Sequence, residues 1–124
     1  MNETRGLWRG RCVVNGEWVI GDLVRSITRS SCFVGRYTVV QSTLGECTGL
    51  TDKNGKLIFE GDIVKVGNYT GNLKIEYGVV RYDNKSAVFF VKYSNMENYL
   101  DEEDEMEIIG NIHDNPEIIS ERTN

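Results

Sequence analysis

One proline, one histidine and three cysteines among 124 residues leave little room for several familiar kinds of chemistry. With His113 the sole histidine, a Ser or Cys nucleophile has a single candidate imidazole base, so a catalytic triad is not expected. Cys12, Cys32 and Cys47 cannot all pair within the chain and show no C-x-x-C spacing, which points to free thiols in a reducing compartment. Together with His113 they are the only donors for a Cys₃His zinc site, yet their spacings of 20, 15 and 66 residues contain no chelating pair. Buried small hydrophobes for the cysteines and a surface position for His113 are the expectation, with no metal and no cofactor. No apolar run approaches the roughly 20 residues of a membrane span, and the opening Met-Asn-Glu-Thr-Arg-Gly-Leu-Trp lacks the apolar core of a signal peptide, so the expected location is cytoplasmic.

Thirteen glycines, 40% hydrophobic and 27% charged residues describe a turn-rich globular chain, and a mainly β fold follows. Its organising stretch is Cys47 to Val66, which reads as two turns flanking one strand, then a second strand. Asp52-Lys53-Asn54-Gly55 supplies turn residues, Leu57-Ile58-Phe59 and Ile63-Val64-Lys65-Val66 supply strand residues, and Gly61 marks a bend. Glu60 and Asp62 flank that bend and form a candidate carboxylate pair. Acceptance of backbone N–H groups suits them better than acid–base work.

Upstream, Arg5 to Val14 reads as a strand with one wet face, turned by Asn15-Gly16 in a type I′ hairpin, with a return strand from Glu17 to about Val24. Arg25 to Ser31 reads as a loop, and Cys32 to Val40 as one strand with a bulge at Gly35. Asn15-Gly16 followed by Gly21-Asp22 echoes Asn54-Gly55 followed by Gly61-Asp62, which predicts a bend at each Gly-Asp. Downstream, Leu73 to Asp83 alternates with period two, Ala87 to Tyr93 is apolar enough for a central strand, and Asn95 to Glu105 reads as loop. Glu107 to Ile112 is a closing strand containing Gly110, and Asn115-Pro116-Glu117 opens at most a short helix.

Charge is unevenly spread. Residues 1–46 hold six arginines against four acids, for +2, while residues 47–124 hold eight basic and fifteen acidic residues, for −7. Asp101, Glu102, Glu103, Asp104 and Glu105 form a contiguous run suited to water or a basic partner; a calcium loop spaces its ligands instead. Arg5, Arg9, Arg11, Arg25, Arg29 and Arg36 lie near Trp8, Trp18, Phe33 and Tyr37, the ingredients of a nucleic-acid face. The acidic second half opposes that use.

Thr48-Gly49-Leu50-Thr51-Asp52-Lys53-Asn54-Gly55, then Ile58, then Glu60-Gly61-Asp62-Ile63-Val64, resembles the signature of the YopX-like family of bacteriophage and prophage proteins. Asn15-Gly16-Glu17-Trp18-Val19 with Gly21 and Leu23 resembles its N-terminal hairpin, and Ile109-Gly110-Asn111-Ile112 with Asn115-Pro116-Glu117 its C-terminal signature. The resemblance implies a single YopX-like domain in a bacterial host, with an N-terminal β subregion over 1–46 and an SH3-like barrel over 47–119. It transfers no catalytic residues. The expectation is therefore a non-enzymatic interaction module with a protein partner, capable of self-association. Arg5, Arg9, Arg11 and residues 101–105 are its candidate contacts, and nucleic acid is the alternative ligand.

Overall fold

A computed structural model of the chain describes residues 6–26, 31–66, 76–93, 97–99 and 106–122. Eleven strands and one short helix are found there, so the fold is mainly β. The strands are β1 (Leu7–Arg11), β2 (Trp18–Arg25), β3 (Cys32–Val34), β4 (Tyr37–Val39), β5 (Gly45–Thr51), β6 (Leu57–Phe59), β7 (Asp62–Val66), β8 (Glu76–Asp83), β9 (Val88–Lys92), β10 (Glu97–Tyr99) and β11 (Met106–Asn111). Helix α1 is Pro116–Arg122, and a 3₁₀ turn covers Gln41–Thr43. One sheet has the order β4-β3-β2-β1-β5-β6, the other β10-β9-β8-β7-β11. The chain divides into two compact units, Met1–Gly49 and Leu50–Asn124.

In the first unit, β1 to β4 form successive antiparallel pairs, and β4 then returns to the end of β1. Val13 N–H donates to Thr38 O at 2.9 Å and Val40 N–H to Arg11 O at 2.9 Å, with Cys12 bridged to Val39. The edge of β4 is thereby occupied, and the strands curl around a small core of Cys32, Val34 and Val39, against which Trp8, Val19 and Leu44 pack. Closure depends on Gly10. A Cβ there would lie 2.9 Å from Val39 Cβ, closer than side-chain atoms approach. Gly10→Ala is expected to cost about 2 kcal/mol through overpacking, read from urea unfolding.

Several local expectations need correcting. The β1–β2 connection is not a two-residue type I′ turn. Cys12 N–H donates to Glu17 O at 2.8 Å and Gly16 N–H to Cys12 O at 2.8 Å, so Val13–Gly16 form a four-residue loop in which Gly16, but not Asn15, has positive φ. Asn15 contributes through its side chain, whose Oδ1 accepts the Glu17 N–H at 3.0 Å. Cys32 to Val40 is not one bulged strand either. Val34 pairs with Tyr37, and Gly35 at φ 61° starts a two-residue reversal of the kind that needs glycine first. Gly21-Asp22 is no bend, because both residues lie within β2, paired with Trp8 and Leu7. A side chain at Gly21 would instead crowd the Gly35 backbone N at 3.3 Å. Gly45–Thr51 is a strand that the sequence did not announce, and Glu97–Tyr99 is a strand within the expected 95–105 loop.

The second unit contains the apolar core of Ile58, Val64, Val80, Val91 and Met106, with Leu50, Val66, Phe89, Tyr93 and Ile108 packed on it. Its strands pair in antiparallel register, Val64 opposite Gly78 and Ile108, and Val80 opposite Val91. Gly110 lies inside β11, where the register shifts past Ile108, and is not a turn residue. A Cβ there would run into the Asn115 side chain, whose Oδ1 accepts the Asn111 N–H at 3.2 Å. Asn111 Oδ1 in turn accepts the N–H groups of His113 and Asp114, both at 2.9 Å, which turns the chain into α1. His113 is half-buried there, more enclosed than expected.

Candidate functional site

The stretch with the strongest sequence signature performs structural work. Asp52 is only 6% exposed, and its Oδ1 accepts the N–H groups of Asn54 and Lys56, both at 2.9 Å, while Oδ2 accepts that of Ile108 at 3.0 Å. Lys53 N–H donates to Met106 O at 2.8 Å, so the Asp52–Gly55 turn caps the edge of β11. Burial alone pushes the Asp52 carboxyl up, but the N–H groups of Ile108, Lys56 and Asn54 and the Lys56 charge hold it below its ordinary range. Asp62 is 1% exposed and its Oδ2 accepts the Phe59 N–H at 2.8 Å across the Gly61 bend. Asp62 is thus committed to the backbone, and the Glu60/Asp62 pair offers no free pair of carboxylates.

Other candidates are similarly placed. Cys12, Cys32 and Cys47 are buried and unbridged, and the Cys32 thiol lies 3.5 Å from Arg25 Nη1. Among the described residues, no three His, Cys, Asp or Glu side chains converge as a metal site. Arg5, Arg29, Asp101, Glu102, Glu103, Asp104 and Glu105 lie outside the described residues. Glu107, just beyond that run, receives Lys65 Nζ at 3.4 Å and Lys53 Nζ at 3.6 Å; the Lys65 hydrogen bond first, and the Lys53 charge second, lower its carboxyl. No helix among the described residues is long and apolar enough to cross a membrane.

Of the six arginines, Arg9 and Arg11 lie on the outside of the first unit's curled sheet, whereas Arg25 lies opposite Cys32 and Arg36 is in the β3–β4 turn. Directly opposed residues of neighbouring strands share a face, so the pairs Arg9–Ile20, Arg11–Trp18 and Val24–Phe33 all point away from the Cys32/Val34/Val39 core. Trp8 points inward, packed against that core. The Arg9 and Arg11 guanidiniums lie over the Trp18 ring, 4.9 and 5.4 Å from its centroid. Arg9 Nε and Nη2 and Arg11 Nε are shielded from solvent. Ile20, opposite Arg9, is 57% exposed, and Val24, further along the same face of β2 beyond Asp22, is 51% exposed. Exposed large hydrophobic side chains occur at Val13, Val14, Ile20, Val24, Tyr37 and Val40, and among the described residues all of them belong to the first unit. Sequence reading singled out the arginines but missed this apolar set; the signal available was branched residues on both faces of β2.

The fold is similar to that in the crystal structure of protein EF1440 from Enterococcus faecalis, at 22% identity and a TM-score of 0.57, over 90% of this chain and 96% of that one. No curated protein matches the chain. The family model described as YopX protein matches residues 19–120, which takes in β2, the Asp52–Gly55 cap, the Gly61 bend and the Asn111–Asn115 turn, and the chain belongs to the YopX family.

Proposed function

We propose that the chain is a non-enzymatic accessory protein of a phage or prophage, acting in the bacterial cytoplasm as a protein-interaction module through the outer face of its first unit. The observation that carries this reading is the set of exposed large hydrophobics, all of which among the described residues lie in that unit, with Ile20 and Val24 on the same face of β2 as the arginine-covered Trp18. Branched side chains held on a rigid strand offer apolar contact at low ordering cost, and arginines packed on tryptophan make an anchor of the type that protein interfaces favour. A polar surface would serve a solitary globule better.

Nucleic acid is the weaker reading. A stacking site needs an open aromatic face and forward-facing cations, whereas Trp18 is covered and several guanidinium nitrogens are withdrawn. Fluorescence anisotropy with single-stranded and duplex DNA at low salt is expected to show no binding; tight binding abolished by Arg9→Ala/Arg11→Ala would reverse the ranking.

Affinity capture from host lysates should recover a specific protein with the parent chain and lose it with Ile20→Asp/Val24→Asp. Recovery of the same protein by both, or of none across several hosts, would contradict the proposal.

A further inference from the structure

Two Asn-Gly pairs lie at exposed turns, Asn15-Gly16 in the β1–β2 loop and Asn54-Gly55 between β5 and β6. Asparagine before glycine is chemically labile. The next backbone nitrogen, unhindered by a side chain, attacks the asparagine side-chain carbonyl carbon, and water later opens the resulting five-membered succinimide to aspartate or isoaspartate. Folding slows this reaction wherever hydrogen bonds hold the groups that must move. Both attacking N–H groups are bonded, Gly16 to Cys12 O at 2.8 Å and Gly55 to Asp52 O at 3.0 Å. The side chains differ. Asn15 Oδ1 accepts the Glu17 N–H at 3.0 Å and Asn15 Nδ2 donates to Glu17 Oε2 at 3.4 Å. The exposed Asn54 side chain makes no hydrogen bond among the described residues. Hydrogen bonds to a carbonyl oxygen lie near the amide plane, whereas the attack comes at the amide's face, so Asn15 must give up its bonds to react.

We propose that Asn54 is a site of spontaneous deamidation, with water the only co-reactant, and that the fold protects Asn15. The Gly55 nitrogen loses its proton and its bond to Asp52 O and forms a bond to Asn54 Cγ, while the Asn54 side-chain nitrogen leaves as ammonia. Hydrolysis then adds one water and leaves a carboxyl group at position 54. The isoaspartate product matters most for the fold, because it routes the main chain through the former side chain and so inserts a methylene into the turn. That turn is the one Asp52 grips. Its Oδ1 accepts the N–H groups on either side of the insertion, those of Asn54 and Lys56, and its Oδ2 accepts that of Ile108. Lengthening the turn therefore loosens the cap on β11, to which Lys53 N–H also contributes through Met106 O. The second unit thus carries a slow chemical clock in its own capping turn.

The site is separate from the outer face of the first unit, so partner binding there neither supports nor contradicts it. The full chain, kept folded in mildly alkaline buffer and sampled over days, is digested and mapped by mass spectrometry. The peptide containing Asn54 is expected to gain its aspartyl and isoaspartyl forms about fivefold faster than the peptide containing Asn15, the factor supplied by one hydrogen bond of ordinary net strength. In concentrated urea the two rates should converge, because both turns are then released. The modified folded protein, separated on its additional negative charge, should contain isoaspartate at position 54 and unfold at lower urea than the parent. Equal rates in the folded chain, or a faster Asn15, overturn the proposal. So does an Asn54 that stays intact while the urea control reacts, or a preference for Asn54 that persists in urea. A modified fraction as stable as the parent would contradict the loosening of the cap.

Discussion

Gly61→Val is expected to remove about 4 kcal/mol of folding stability, a large part of what a domain of this size possesses. Gly61 sits at φ 95°, which a β-branched side chain adopts only under strain. Nor can the backbone relax at little cost. Gly61 N–H donates to Val80 O at 2.8 Å, Gly61 O accepts the Ile112 N–H at 2.9 Å, and the neighbouring Asp62 carboxylate holds Phe59 N–H. Rotating Gly61 into a valine-compatible conformation breaks bonds to both β8 and the end of β11. Chemical denaturation measures the loss directly. Gly61→Asn should cost clearly less, since asparagine tolerates positive φ better than valine. An unchanged midpoint for the valine variant would mean that the bend is not architectural.

Asp52→Ala is expected to cost about 3 kcal/mol near neutral pH, because it strips acceptors from three backbone N–H groups, one of them 56 residues distant. The loss carries a pH signature. The folded Asp52 carboxyl titrates below its ordinary value of 3.8, so its stabilisation is complete above that value and fades as pH falls through the lower, folded one. The stability gap between parent and Asp52→Ala should therefore be constant from neutrality down to about pH 5 and shrink steadily below about pH 4. Glu107, lowered by Lys65 and Lys53, responds in the same direction, so the variant keeps a smaller acid sensitivity of its own. A gap that widened in acid would show that Asp52 is not held as a hydrogen-bonded carboxylate.

Local chemistry made part of this fold legible. The Asp52–Gly55 turn, the Gly61 bend, β6, β7 and β11, and α1 opening at Pro116 each depend on residues within a few positions of one another. What escaped sequence reading depends on distance. Nothing near Asp52 shows that its second oxygen serves Ile108, and nothing near Gly10 shows that Val39 will close over it. Gly45–Thr51, with its two glycines and two threonines, has weak strand chemistry and is a strand because its neighbours in the sheet make it one. At Gly35 a bulge and a full reversal share the same residue signal; three-residue strands on either side decide for reversal.

The β1–β2 loop had the largest consequence for the candidate site. A two-residue turn at Asn15-Gly16 would set Arg11 opposite Ile20, whereas the four-residue loop sets it opposite Trp18. That shift of two residues keeps every side chain on its face, so the outward arginines were foreseeable. Their packing over Trp18 was not, and it is this packing that turns a cationic stripe into a mixed aromatic and apolar surface.

Under the proposed function, the Leu50–Val66 stretch holds the second unit together, and the outward face of strand β2 in the first unit meets the partner. The most direct test compares parent and Ile20→Asp/Val24→Asp in one experiment that reads both unfolding free energy and capture of a host protein. The account predicts unfolding within about 0.5 kcal/mol of the parent, as for ordinary surface changes, together with loss of the captured protein. Retention of that protein by a folded variant would contradict it.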